Sequence, residues 1–147
     1  MEPKVLTPQE VQELFKTNPA AVYIDVRTVG EFAAGHPRGK VVNIPLVFHH
    51  PTTKETYPNN SFLEVLESLY AKDTSLIVGG DDGERTKQAA TQLTQTGYTD
   101  VSVMPDGHAS WRTQKLPTTT DNRDGISYVS LLTPVKRKGK KKIGAHA

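Results

Sequence analysis

Apolar residues in this chain fall into short blocks of two kinds. Val22-Tyr23-Ile24-Asp25-Val26, Val41-Val42-Asn43-Ile44-Pro45, Ser75 to Val78 and Val101-Ser102-Val103-Met104 are brief, mostly apolar runs, and each predicts a buried strand. Between them the apolar positions recur with helical period. Thr7-Pro8-Gln9-Glu10 is a capping box with proline at the first helical position, followed by an apolar face of Val11, Leu14 and Phe15 and stopped by Asn18-Pro19. Thr28-Val29-Gly30-Glu31 repeats the box and opens a short helix through Ala34, ended by Gly35. Ser61-Phe62-Leu63-Glu64 opens a third helix, with Leu63, Leu66, Leu69 and Tyr70 expected inward. Arg85 to Thr96 places Thr86, Ala89, Ala90 and Leu93 on one face, and Gly97 closes it. His108 to Thr113 is a short helix carrying the one tryptophan, Trp111.

Strands alternating with helices predict an α/β fold: a central, mainly parallel sheet of five strands flanked by helices on both faces. In such sheets ligands sit beyond the strand C-termini. The periodic pattern weakens after Pro117, which divides the chain into a domain over 1–117, an extension over 118–134 and a tail over 135–147. Tyr128 to Leu132 is apolar enough to dock as an edge strand or short helix, and disorder is expected beyond Pro134. Residues 49–60 read as a polar loop.

Charge sharpens this division. The chain of 147 residues carries a net charge of +2, but six cations crowd into residues 136–142 and leave the rest at −4. A mildly acidic body thus bears a strongly basic tail, Lys136 to Lys142, which suits weak polyanion binding or simple solvation. No run is long and apolar enough to span a membrane, and the N-terminus lacks the pattern of a signal peptide; a cytoplasmic protein is expected.

The chemistry centres on the segment after Val78. A strand, the loop Gly79 to Arg85 and a helix N-terminus form a common anion cradle, because unpaired N–H groups point into it. Yet the loop offers carboxylates and no thiol, hydroxyl or imidazole. The chain contains no cysteine, which excludes disulfides, thiolate metal sites and a cysteine nucleophile. Asp81, Asp82 and Glu84 lack the alternation of a calcium loop, and His49-His50 has no ligand partner at helical spacing, so no metal or other cofactor is expected.

The order and spacing of four stretches resemble a rhodanese domain. YIDVRTVGEFAAGHPRGKVVNIP, residues 23–45, is similar to the family's first signature at Asp25, Arg27, Glu31, Gly35, His36, Gly39, Asn43 and Pro45. GYTDVSVMPDGHASWRTQKLP, residues 97–117, is similar to the closing signature at Gly107, Trp111 and Pro117, with Asp106 where a second glycine is common. The opening helix and the loop-helix at 79–96 also fit. The resemblance implies the five-stranded fold and a six-residue loop whose first residue is a cysteine that carries sulfane sulfur. Counted back from Gly83 and Arg85, that loop is Gly80-Asp81-Asp82-Gly83-Glu84-Arg85, and the cysteine position holds Gly80. Sulfur transfer needs a thiolate to attack the donor, and the two aspartates add negative charge where an anionic donor would bind. Arg85, expected to pair with one of them, and Arg27 remain as candidate anion-binding residues. Asp25 and Arg27 are expected to form a structural pair, His36 to fix the turn after Gly35, and Trp111 to lie in the core.

Three functions compete at this level. One is a catalytically inactive rhodanese-like domain with a binding or regulatory role toward a protein partner. Another is a sulfurtransferase-class protein whose cysteine has been replaced. The last is a nucleic-acid-associated accessory protein acting through its tail.

Overall fold

The computed structural model describes residues 3–50, 52–81 and 83–144, with side chains as far as Lys136. Its elements, in chain order, are β1 (Lys4–Val5), α1 (Pro8–Thr17), β2 (Val22–Asp25), α2 (Val29–Ala34), β3 (His36–Pro37), β4 (Val41–Asn43), β5 (Val47–His49), β6 (Thr56–Pro58), α3 (Phe62–Leu69), β7 (Leu76–Gly79), α4 (Gly83–Gln95), β8 (Val101–Met104), α5 (Gly107–Thr113), β9 (Thr118–Thr119) and α6 (Tyr128–Gly144). Both capping boxes form. Thr7 and Thr28 each accept the N–H of the glutamate three residues on, and Glu10 and Glu31 accept the threonine N–H in return.

The central sheet has the order β1-β8-β7-β2-β4, and every neighbouring pair is parallel. The fifth strand is β1, two residues that hydrophobic patterning alone does not reveal. Side chains alternate between the two faces, as a pleated strand requires. Val22, Ile24, Val26, Leu76, Val78, Val101 and Val103 join one core with residues of α3, α4 and α6. Tyr23, Ile77 and Met104 join the other with Val11, Phe32 and Trp111 of α1, α2 and α5. Helices therefore cover both faces, and the strand C-termini converge at one edge of the sandwich.

Several expectations are corrected. The inward stripe of α3 is Phe62, Val65 and Leu66; Leu63 and Tyr70 are half-buried, and Leu69, the last helical residue, is exposed. Residues 49–60 are not all loop, since β5 and β6 pair as an antiparallel hairpin in which Phe48 packs against Tyr57. His50 lies at its turn, where Nδ1 accepts the N–H groups of Thr52 and Thr53. Helix α4 begins at Gly83 rather than Arg85.

The extension after Pro117 is packed onto the body despite its weak periodicity. β9 pairs antiparallel with β3, the Ile126 carbonyl accepts the Asn43 N–H, and Tyr128 and Leu131 enter the main core. Tyr128 is fixed further by hydrogen bonding with Asn59. Helix α6 runs through Pro134 as far as Gly144, within the span read from the sequence as a tail. Lysine and arginine are good helix formers, and the docked first turns supply the costly nucleus. Residues 145–147 lie outside the described residues.

Candidate active site and its degenerate loop

The C-terminal end of β2 builds one wall of the site. Asp25 is fully buried, and Arg27, folded back over it, is nearly so. Arg27 Nε donates to Asp25 Oδ1 at 3.0 Å, and Nη2 donates to Oδ2 at 2.8 Å and to the Gly35 carbonyl at 2.7 Å. Burial pushes the Asp25 carboxyl up from its ordinary range, while the guanidinium's hydrogen bonds and charge pull it back down. Asn43 ties the turn from beyond, its Nδ2 donating to the Asp25 and Arg27 carbonyls. His36 stacks on Phe32 with ring centroids 3.8 Å apart. Its Nδ1 lies 3.0 Å from the Pro37 carbonyl oxygen and its Nε2 2.7 Å from that of Asp121, so it joins the turn after Gly35 to the C-terminal extension. A neutral imidazole donates to only one of these at a time.

The C-terminal end of β7 builds the facing wall. Gly79 lies under the Tyr23 phenol, which occupies the space any side chain at residue 79 would need. The phenol oxygen is buried without a hydrogen-bond partner among the described residues. Gly80 is buried too, but it has room: a Cβ there would lie 3.5 Å from Arg27 Cγ, Thr86 Oγ1 and Val26 Cγ2, ordinary contact distances. The Gly80 carbonyl accepts the His108 N–H at 2.8 Å, an approach that only a glycine at residue 107 permits, at φ +78°. The loop and the closing signature are thus pressed together backbone to backbone.

Asp81 turns its carboxylate across the site. Its Oδ1 accepts the Ala109 N–H at 3.0 Å, and its Oδ2 stands 3.7 Å from Arg27 Nη1. Arg85 does not pair with Asp81; its Nη1 donates to Glu31 Oε1 at 3.2 Å. Burial opposes ionisation of Glu31, but hydrogen bonds from the Thr28 N–H and hydroxyl, with the Arg85 charge, hold its carboxyl below the usual range. Glu84 lies exposed in the first turn of α4. Asp82 lies outside the described residues. Trp111 is fully buried in the second core, and its Nε1 donates to the Pro117 carbonyl.

Above these walls opens a cleft of about 620 Å³, bordered by Arg27, Glu31, Asp81, His108 and Arg112 and by residues 118–120. Of the sequence candidates it brings together Arg27 and Asp81 directly, with Arg85 behind Glu31. His108 and Arg112 were not singled out from the sequence. Their signal is positional: they flank Trp111 in the stretch that follows the buried strand β8. His108 is buried, and that burial, helped by the Arg27 charge, lowers its pKa to about 4, so it is neutral near pH 7. Among the described residues no group of three potential metal-ligating side chains gathers, and no helix is long and apolar enough to cross a membrane.

A parallel α/β sandwich with a cleft over its strand ends and a strand-loop-helix cradle defines the class. The rhodanese-like domain profile matches residues 7–114, and the chain belongs to the rhodanese-like family, which includes sulfurtransferases. Thiosulfate sulfurtransferase 18 of Arabidopsis thaliana is 34% identical over 103 residues, covering 69% of this chain and 74% of that protein. The senescence-associated protein DIN1 of Raphanus sativus is 34% identical over 95 residues, covering 65% of this chain, which spans only 50% of that protein's length. Among solved structures, the rhodanese-like domain of the Alr3790 protein from Anabaena sp. superposes with a TM-score of 0.65 at 24% identity, covering 81% of this chain and 80% of that one. The polysulfide-sulfur transferase homodimer from Wolinella succinogenes gives 0.63 at 20%, covering 80% and 78%. At these identities the structural likeness establishes the fold.

Proposed function

We propose that this chain is a rhodanese-like domain that does not transfer sulfur and serves as a binding or regulatory module in the cytoplasm. One observation carries the reading: the position from which a persulfide would be carried is Gly80, in a chain without any cysteine, and the next residue directs a carboxylate across the cleft toward Arg27. A persulfide forms when a thiolate attacks the donor, and neither glycine nor a carboxylate supplies a soft nucleophile. What survives is the frame around the missing sulfur: the Asp25–Arg27 fork, the His36 clamp and a cleft large enough for a small molecule or a side chain from a partner.

The test is thiosulfate:cyanide sulfur transfer by the purified full chain, prepared from a host lacking its own rhodaneses. Product formation at background is expected. Turnover at rates typical of cysteine-bearing relatives would overturn the reading. A second reading rests on a separate feature, the six cations of residues 136–142 on a body of net charge −4. It makes the chain a nucleic-acid accessory protein, whose binding to RNA would fall steeply with salt and disappear when those residues are removed.

A further inference from the structure

The geometry points to Asp81 as a built-in ligand: its carboxylate fills, from within the chain, an oxyanion site formed by Arg27 and the Ala109 N–H. This inference deepens the reading of a silent sulfur-transfer site, and says what now occupies it. The guanidinium of Arg27 has three nitrogens. Nε and Nη2 are committed to Asp25 and to the Gly35 carbonyl. Among the described residues Nη1 meets the Asp81 carboxylate at 3.7 Å, a charge contact longer than a hydrogen bond. Arg27 is held rigidly, with its side chain only 4% exposed, and its Nη1 edge faces the cleft. A buried cation fixed on two sides and turned toward open space on the third is a recognition group for an anion.

Asp81 meets that need without leaving the loop. One of its oxygens takes the Ala109 N–H and the other faces Arg27, so both are engaged although the side chain is 39% exposed. The carboxylate is tethered one residue beyond Gly80, where its effective concentration exceeds that of a free anion at millimolar level. A dissolved oxyanion of similar size must therefore displace it and then sit beside it. Like charges at that separation repel, so the occupied site rejects such a ligand. The carboxylate that closes the site to anions also leaves the remaining cleft, with Arg112, His108 and Glu31 on its walls, free for a different guest.

The experiment compares binding of sulfate and of thiosulfate to the wild-type chain and to two variants, by isothermal titration and by amide chemical shifts of Gly80 and Ala109. Asp81→Ala removes the carboxylate. Asp81→Asn keeps an acceptor for the Ala109 N–H but drops the charge. Asp124→Asn, an equal change of net charge at a position outside the cleft, is the control. Both anions should bind Asp81→Ala at least tenfold more tightly than wild type, with Asp81→Asn between the two and Asp124→Asn unchanged. Shifts should centre on Ala109 in the variants. Equal affinity of wild type and Asp81→Ala, or an equal gain in Asp124→Asn, would overturn the inference. Sulfur transfer plays no part in this readout, so activity found in the wild-type chain would defeat the proposed function and leave this result to be judged on its own.

Discussion

Two strand ends face each other across the cleft, and they differ in what they retain. The end of β2 keeps a complete polar frame: Asp25, Arg27, Asn43 and His36 join three separate segments through buried and half-buried hydrogen bonds. The end of β7 keeps only the shape of a loop, with glycine at its first position and acid behind it. The difference follows from what each residue does for stability. Removing any member of the buried frame strands a charge or a carbonyl in the core, whereas residue 80 touches its neighbours at ordinary distances with or without a Cβ. Residue 80 can therefore change without cost to the fold, whereas the frame at β2 cannot.

The sharpest way to break this comparison is Arg27→Ala. It leaves the Asp25 carboxylate buried without its cation, an arrangement that costs about 3–5 kcal/mol. Urea unfolding should show a loss of that size, and Arg27→Lys should recover only part of it, because an ammonium cannot reproduce the fork. A loss below about 1 kcal/mol would mean that the frame is not structural.

Gly80→Cys attacks the comparison from the other side. The pocket admits a Cβ, so the variant should fold with a melting temperature close to wild type. It should nonetheless gain little sulfur transfer. The Asp81 carboxylate stands beside the new thiol, disfavours its thiolate and repels an anionic donor. Adding Asp81→Arg and Asp82→Ser should raise activity at least tenfold over the single variant. Strong transfer from Gly80→Cys alone would show that the acidic loop is no barrier, and that a single residue separates the two states of the site.

The sequence makes the first strand end legible and the second only half so. Capping boxes, short apolar runs and the 23–45 signature single out Asp25, Arg27 and His36, because local pattern and position in the fold coincide there. The pairing of Arg85 with Glu31 is invisible in sequence: it joins residues 54 positions apart, while Asp81, nearer in the chain, turns to Arg27 instead. β1 is missed because two exposed residues carry no alternation, and only an available edge on β8 makes them a strand. His108 is missed for a related reason. What distinguishes it is burial against the loop, and nothing in GHASW announces that.

His108 allows a finer test. Its pKa is lowered to about 4 in the folded chain, first by burial, against about 6.5 for a free imidazole. Between those values the unfolded chain binds the proton and the folded one does not, so stability is complete above about pH 6.5 and falls as pH drops toward 4. His108→Gln should flatten that part of the stability-pH profile, whatever it does to absolute stability. An unchanged slope would show that a group other than His108 takes up the proton in that range.

The smallest effect is expected where α6 changes character. Its first turn behaves like the end of β2: Tyr128 and Leu131 are buried, and Tyr128 is hydrogen-bonded to Asn59. Its cationic part has one described side chain, Lys136, which lies outside the core. The one described side-chain contact there is Lys136 with Glu64 at 3.4 Å, both about half exposed. Exposed pairs of this kind contribute about 0–1 kcal/mol. Truncation after Val135 should therefore shift the unfolding free energy by no more than that, while truncation after Gly125, which removes Tyr128 and Leu131, should cost several times as much. The two cuts differ by ten residues, and the step between them measures where the fold ends. If the shorter cut proves as damaging as the longer, residues 136–144 pack against the body and are part of the fold. If it is silent in unfolding but abolishes salt-sensitive binding to RNA, the same residues are an appendage with a partner of its own.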